Sequence, residues 1–334
     1  MWEQEQEPER VQEREPAPVA IVGAGSIGAA WAIVFARAGH RVALHDTDAD
    51  RAATALAEIE SRLAELAGFG LVEGDVAAVL GRVRVAADLG EALEDAVYVQ
   101  ECVVESREVK RELFAELDRR TGPDAVLASS TSMIPCSEFA VELPGRARCL
   151  VVHPGNPPYL LPVAELAPAP FTAPETIARA RALLSAAGMV PVLVGGENEG
   201  FIFNRLQGAL LREAYCLVRD GVASPADVDL VVSAGLGRRW AVLGPFATAE
   251  LNTRGGIERH ALLLGPAYAR MGAERGQDDP WTPDLVARVA SSVHESLPAE
   301  EWAEHVSRRD RALMRLERAR RADPELFTGF TRTD

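Results

Sequence analysis

Two side chains in this 334-residue sequence have the types and positions needed for proton transfer. His153 ends the apolar run Cys149-Leu-Val-Val-His153. Glu165 follows inside Val163-Ala-Glu-Leu166, a run otherwise apolar. A histidine at the C-terminal end of a strand in an open α/β sheet points toward the ligand crevice. A carboxylate within an apolar strand needs a partner, because burying a lone charge is costly. A carboxylate that accepts from one ring nitrogen leaves the other to act as base, and it stabilises the imidazolium that forms. Spacing alone fits better two separately satisfied residues, a strand-end histidine and a glutamate facing solvent on an edge strand. The pairing gains weight from the rest of the chain.

A phosphate cradle precedes them. Gly23-Ala24-Gly25-Ser26-Ile27-Gly28 fits G-x-G-x-x-G, directly after the apolar run Val19–Val22 and before a helical stretch. That context makes a weak string a specific one. Gly23 permits a tight turn, Gly25 lets the backbone approach a pyrophosphate, and Gly28 lets helix and strand pack closely. The helix N-terminus then offers N–H groups and a partial positive charge to the phosphates. The whole loop, Ser26 and Ile27 included, is therefore the expected dinucleotide site. Asp46 ends the second strand, 23 residues after Gly23. Its carboxylate can accept from the adenosine ribose hydroxyls and would repel a 2′-phosphate, so NAD is the expected cofactor. Arg51 nearby leaves NADP open. The bland alternative is a simple turn followed by an Asp that caps a helix.

These residues need elements to hold them. Beyond the two strands flanking the loop, strands are predicted near 82–86, 97–103, 125–130, 147–153, 163–166 and 189–194. Helices are predicted near 27–38, 48–67, 107–119 and 174–187. Strands alternating with helices argue for a parallel sheet covered on both faces. After Gly195-Gly196 the strand pattern stops. Residues 200–221 place Ile202, Leu206, Leu210, Ala214 and Leu217 on one helical face. More helices are predicted near 225–235, 257–272, 282–296 and 299–321. The expected fold is α/β: a Rossmann-like dinucleotide-binding domain over 18–197, then an all-α C-terminal domain over 198–334. Residues 1–17, rich in Glu, Gln, Arg and Pro, are expected to be a disordered acidic tail.

Composition narrows the class of function. A net charge of −15 argues against nucleic acid as a partner. No apolar run approaches the roughly 18 residues needed to span a bilayer, and the acidic N-terminus does not read as a signal peptide. The four cysteines, at 102, 136, 149 and 216, form no Cys-x-x-Cys pair, which argues against a disulfide framework or a metal site. A reducing, cytoplasmic setting is expected. The chain holds 34 Arg and one Lys, Lys110.

Several stretches, in order along the chain, resemble the 3-hydroxyacyl-CoA dehydrogenase family. They are Val99-Gln-Glu-Cys-Val103, Ser129-Ser-Thr-Ser132, His153-Pro-Gly-Asn-Pro-Pro-Tyr159, Gly200-Phe-Ile-Phe-Asn-Arg-Leu-Gln207 and Gly235-Leu-Gly-Arg-Arg-Trp240. The resemblance runs from about residue 18 to at least 320. Within the family the chain resembles the lambda-crystallin branch, that of L-gulonate 3-dehydrogenase. The resemblance implies that His153 is the catalytic histidine and Glu165 the glutamate that orients it. It implies that Ser132 hydrogen-bonds the reacting oxygen, that Asn204 is a further active-site residue, and that Asn156 lies near the nicotinamide. It also implies that Glu105 and Lys110 contact the cofactor. Without it, Ser132 reads as a helix cap and Asn204 as a solvent-facing residue of a first helical turn.

Departures from the family pattern bear on the substrate. CoA-using members follow the histidine with aromatic residues and Asn, where this chain has Pro154 and Gly155. That favours a small free 3-hydroxy acid over a thioester. Carnitine dehydrogenases, also relatives, share an Arg-Trp like Arg239-Trp240, so the sugar-acid reading stands beside a carnitine one and a thioester one. A free carboxylate calls for an arginine, and Arg239 is the candidate, against the alternative of one more surface arginine. The resemblance further implies a homodimer built by the helical domain. A structural role without catalysis is the rival class, because relatives of this kind serve as lens proteins.

Overall fold

The computed structural model describes residues 17–275 and 281–323. The expected tail therefore lies, apart from residue 17, outside the described residues. The described residues form two compact units, the first running to Gly68 and from Val72 to Phe201, the second holding Phe69–Leu71 and the described residues from Ile202 onward.

The first unit alternates strand and helix. It runs β1 (Pro18–Val22), α1 (Ser26–Arg37), β2 (Arg41–His45), α2 (Ala49–Gly68), α3 (Val76–Leu80), β3 (Val83–Val85), α4 (Leu89–Leu93) and β4 (Tyr98–Glu101). It continues with α5 (Arg107–Arg120), β5 (Val126–Ser129), α6 (Ser137–Ala140), β6 (Cys149–Pro154), β7 (Val163–Pro168), α7 (Pro174–Ala186) and β8 (Val190–Leu193). The short helices α3, α4 and α6 were not expected from sequence. They hold only 4 or 5 residues each, too few to show a hydrophobic period.

All eight strands join one sheet in the order β3-β2-β1-β4-β5-β6-β7-β8. The order reverses beside β1, which pairs with β2 on one side and β4 on the other. Ligands bind at the carboxyl ends of strands at such a switch point. Every neighbouring pair is parallel except β6 and β7. That exception departs from the simple parallel sheet expected.

Burial explains the local elements. Every residue of α1 from Gly28 to Ala36 is buried, so a chain of small and apolar side chains can lie deep in the fold. Trp31 and Phe35 stack on its surface at 5.5 Å. Helix α2 is instead amphipathic and buries Ala52, Ala55, Ile59, Leu63 and Leu66 along one stripe. Residues 198–201 fall in the first unit because Phe201, 2% exposed, packs in its hydrophobic core. The division between the compact units thus falls after Phe201.

The second unit is helical. It holds α8 (Phe203–Arg219), α9 (Pro225–Val231), α10 (Gly237–Trp240), α11 (Pro245–Asn252), α12 (Gly256–Ala273), α13 (Pro283–Ser296) and α14 (Trp302–Ala322). A wide turn of π-helix over 232–236 joins α9 to α10 where one continuous helix was expected near 225–235. Within this unit Tyr215 stacks on Trp281 at 4.2 Å. No helix among the described residues is long and apolar enough to cross a membrane.

Candidate active site

The glycine loop is built as its spacing suggests. Gly23 has φ +102°, and a Cβ there would stand 2.6 Å from the backbone carbonyl of Cys102. The loop therefore presses against the chain leaving β4. A Cβ on Gly28 would stand 1.9 Å from the Gly23 oxygen, so α1 meets β1 too closely for any side chain. Gly25 differs, because nothing lies within 4 Å of an added Cβ. The backbone there is open to an approaching group, at the N-terminus of a helix that has no side-chain cap. Ser26 and Ile27 form the first turn of that helix. Asp46 accepts from the Ala24 N–H at 2.7 Å and from the Asp48 N–H at 3.0 Å, which fixes its carboxylate beside the loop. These residues fit the pyrophosphate and ribose of a dinucleotide.

His153 and Glu165 are directly opposite each other in the antiparallel register of β6 and β7. Glu165 Oε2 lies 2.7 Å from His153 Nδ1, with the residues 2% and 6% exposed. An ionised carboxylate can only accept, so Nδ1 carries the proton of this bond. The ring of Phe201 lies 5.5 Å from the imidazole, tilted by 42°. Phe201 has φ +50°, a conformation costly for a bulky residue and one that clusters at functional sites. Sequence reading missed it. Its only signal was its place beside Gly200 in a stretch noted for the family resemblance.

A second cluster follows β4. Glu105 Oε1 accepts from the Thr131 hydroxyl at 2.5 Å, the Ser132 N–H at 3.0 Å and the Met133 N–H at 3.2 Å. The loop carrying Ser132 is thus gathered around one carboxylate oxygen. Burial alone pushes the Glu105 carboxyl up, but the Thr131 hydroxyl, Lys110 and the Met133 and Ser132 amides outweigh it and hold it below its ordinary value. Lys110 Nζ sits 3.5 Å from Glu105 Oε2. The same ammonium donates to both oxygens of Glu101, at 2.8 and 2.9 Å. Glu101 also accepts from the Ser129 hydroxyl at 2.5 Å and the Val103 N–H at 2.7 Å. Burial pushes the Glu101 carboxyl up, against the pull of Lys110, Ser129 and Val103.

Glu101 is another residue missed from sequence. The clue was akin to the one that singled out Glu165, a carboxylate in a strand, here at the end of β4. The single lysine also gains a reason. A compact ammonium can donate to a buried carboxylate where the broad planar fork of arginine would need more room.

The remaining candidates lie on other elements of the chain. Asn156 is exposed in the turn after β6, where the Gly155 N–H donates to the Val163 carbonyl at 3.0 Å. Asn204 lies in the first turn of α8 and Arg239 is exposed on α10, both in the second unit. Burial pushes the thiol of Cys102, beside Gly23, far above its ordinary value. Among the described residues, no cluster of His, Cys, Asp or Glu could hold a metal ion.

Known proteins match this architecture. A family model described as the NAD binding domain of 3-hydroxyacyl-CoA dehydrogenase matches residues 18–198, and its C-terminal domain matches 200–295. A lambda-crystallin homolog of Bos taurus is 38% identical over 328 residues, covering 93% of this chain and 98% of the relative. An L-carnitine dehydrogenase of Streptomyces coelicolor is 35% identical and covers 90% of this chain and 94% of its own. The solved structure of an NAD+-dependent 5-formyl-3-hydroxy-2-methylpyridine 4-carboxylic acid 5-dehydrogenase superposes with a TM-score of 0.76 at 28% identity. It covers 90% of this chain and 97% of its own.

Proposed function

Because the chain belongs to the 3-hydroxyacyl-CoA dehydrogenase family, we propose that its NAD-dependent chemistry acts on the 3-hydroxyl of a small free 3-hydroxy acid. The chain is an NAD-dependent dehydrogenase of 3-hydroxy groups. The observation that carries the proposed mechanism is the buried His153–Glu165 pair at 2.7 Å. With Nδ1 held by Glu165, proton transfer falls to Nε2. His153 takes the hydroxyl proton as the carbonyl forms, and Glu165 offsets the charge on the imidazolium. When bound, NAD supplies the acceptor for the hydride from the same carbon. Ser132, held by Glu105, hydrogen-bonds the reacting oxygen. Glu105, Lys110 and Asn156 serve the cofactor side. Asn204 and Arg239 enter this reading from sequence alone, Asn204 at the reacting oxygen and Arg239 as the carboxylate partner.

Two observations support a free acid. The turn after His153 is tight, because a Cβ on Gly155 would come within 3.0 Å of Val163 and 3.1 Å of Leu161. The aromatic residues of thioester-using members are missing there. The relative with a TM-score of 0.76 is itself named for a small carboxylic acid. Within that class an L-gulonate-like sugar acid is the first reading. L-carnitine is the second, favoured by the Arg239-Trp240 pair and by the 35% identical carnitine dehydrogenase.

The test is NADH formation by purified protein with L-gulonate, L-carnitine and L-3-hydroxybutyryl-CoA. A clear preference for a free acid is expected, with Arg239→Met raising KM for that acid. Turnover of the thioester alone would overturn the free-acid reading. Absence of turnover with all three, despite NAD binding, would favour a structural role.

A further inference from the structure

We propose that Glu101 is a positioning residue for the dehydrogenase reaction, acting through Lys110 and Glu105 on the Ser132 loop. The proposal rests on the reading of Ser132 as the residue that meets the substrate oxygen.

Three chain segments meet at Glu101. Its carboxylate closes β4, receives Ser129 from the end of β5 and receives Lys110 from the first turns of α5. It is fully buried, and Lys110 is 1% exposed. A buried charge pair is a poor source of stability in itself, since an apolar pair of equal volume often does as well. Its value lies in direction. The ammonium that Glu101 pins also reaches Glu105, which gathers the hydroxyl of Thr131 and the amides of Ser132 and Met133. From the other side, the Ser129 hydroxyl that donates to Glu101 accepts the Thr131 N–H at 3.2 Å. The Thr131 hydroxyl accepts the Ile134 N–H at 2.9 Å. Two routes therefore reach the loop, one through Lys110 and Glu105 and one through Ser129, and both start at Glu101. A displacement of about 1 Å at a group that aligns the reacting oxygen can cost on the order of 10²-fold in rate.

The test separates positioning from packing. Glu101→Gln removes the buried charge that Lys110 meets at 2.8 and 2.9 Å, leaving the ammonium Glu105 at 3.5 Å, and is expected to lose stability as well as activity. The double variant Glu101→Gln with Lys110→Met removes both charges and is expected to melt close to wild type. Its kcat is nevertheless expected to fall by about 10²-fold. Hydrogen exchange at the Ser132 and Met133 amides is expected to quicken, a change that loss of packing around α5 alone would not cause. Ser129→Ala, which leaves the ion pair in place, is expected to show both effects in weaker form and covers the case in which the double variant does not fold. Wild-type kcat and unchanged amide protection in a stable variant would overturn the proposal. Should the wild-type enzyme turn over no 3-hydroxy acid, the functional reading fails instead, while the amide exchange still tests whether Glu101 orders the loop.

Discussion

At the scale of single residues, the proposed mechanism separates a proton-transfer unit from a loop-holding unit. His153 and Glu165 form the first. His153→Gln is expected to keep NAD binding, read by fluorescence titration, and to lose about 10²–10⁴ in kcat, the usual worth of a general base. Glu165→Gln keeps the shape but removes the charge that stabilises the imidazolium, so a loss in the same direction is expected. Near-normal turnover of either variant would remove that residue from the mechanism. Glu105 belongs to the second unit and predicts a pH effect. Its folded value is held below the unfolded one, so its contribution to stability is complete above the ordinary carboxylate value of about 4.3. It is lost as pH falls through the lower, folded value. The stability difference between wild type and Glu105→Gln, from denaturant titrations, is therefore expected to be constant near neutrality and to shrink only in acid. A difference that grew on acidification would contradict this assignment.

At the scale of elements, the two functional clusters depend on how strands end. The reversal of strand order at β1 sets the glycine loop beside the chain leaving β4, with Gly23 against Cys102. The glycines of that loop differ in what they do, and this can be measured. Gly28→Ala drives a methyl into the Gly23 carbonyl and is expected to cost about 3 kcal/mol or more in unfolding experiments. Gly25→Ala meets nothing and is expected to leave stability within about 0.5 kcal/mol. It should still weaken NAD by about tenfold or more in Kd, worth about 1.4 kcal/mol, because the methyl stands where a pyrophosphate must approach. Equal effects of the two on stability would contradict the roles drawn for them. Element β7 matters differently. By running against β6 it sets Glu165 across from His153, the one pairing on which the proton-transfer unit depends.

At the scale of the whole molecule, the helical unit invites a partner. Phe246, Leu262 and Trp302 are 77%, 76% and 70% exposed, and Leu262, Leu263 and Leu264 follow one another along α12. Large exposed apolar surfaces on soluble chains often mark association sites. We propose a homodimer built by this unit, to be tested by sedimentation velocity, with Leu262→Glu together with Phe246→Glu expected to shift it toward monomer. A wild-type chain that sediments as a monomer at all concentrations would rule out the dimer.

The sequence by itself determined the dinucleotide loop, Asp46, the order of the strands and the longer helices, and the switch to helices near residue 200. Each of these rests on neighbours along the chain: glycines at fixed offsets, apolar periods, a carboxylate at a strand end. It also offered His153 and Glu165 as a pair, on the cost of burying a lone carboxylate and on the family resemblance. Only the tertiary structure gave that pair its 2.7 Å contact, because the contact depends on the direction of β7 and on its register. Residue types do not specify either. The Glu101–Lys110–Glu105 chain and the ring of Phe201 beside His153 were invisible for the same reason. A buried charge looks like a surface charge until packing removes its water, and a strained backbone leaves no mark in composition. The sequence thus supplied the chemical groups, and the antiparallel strand and the buried network decided which of them meet.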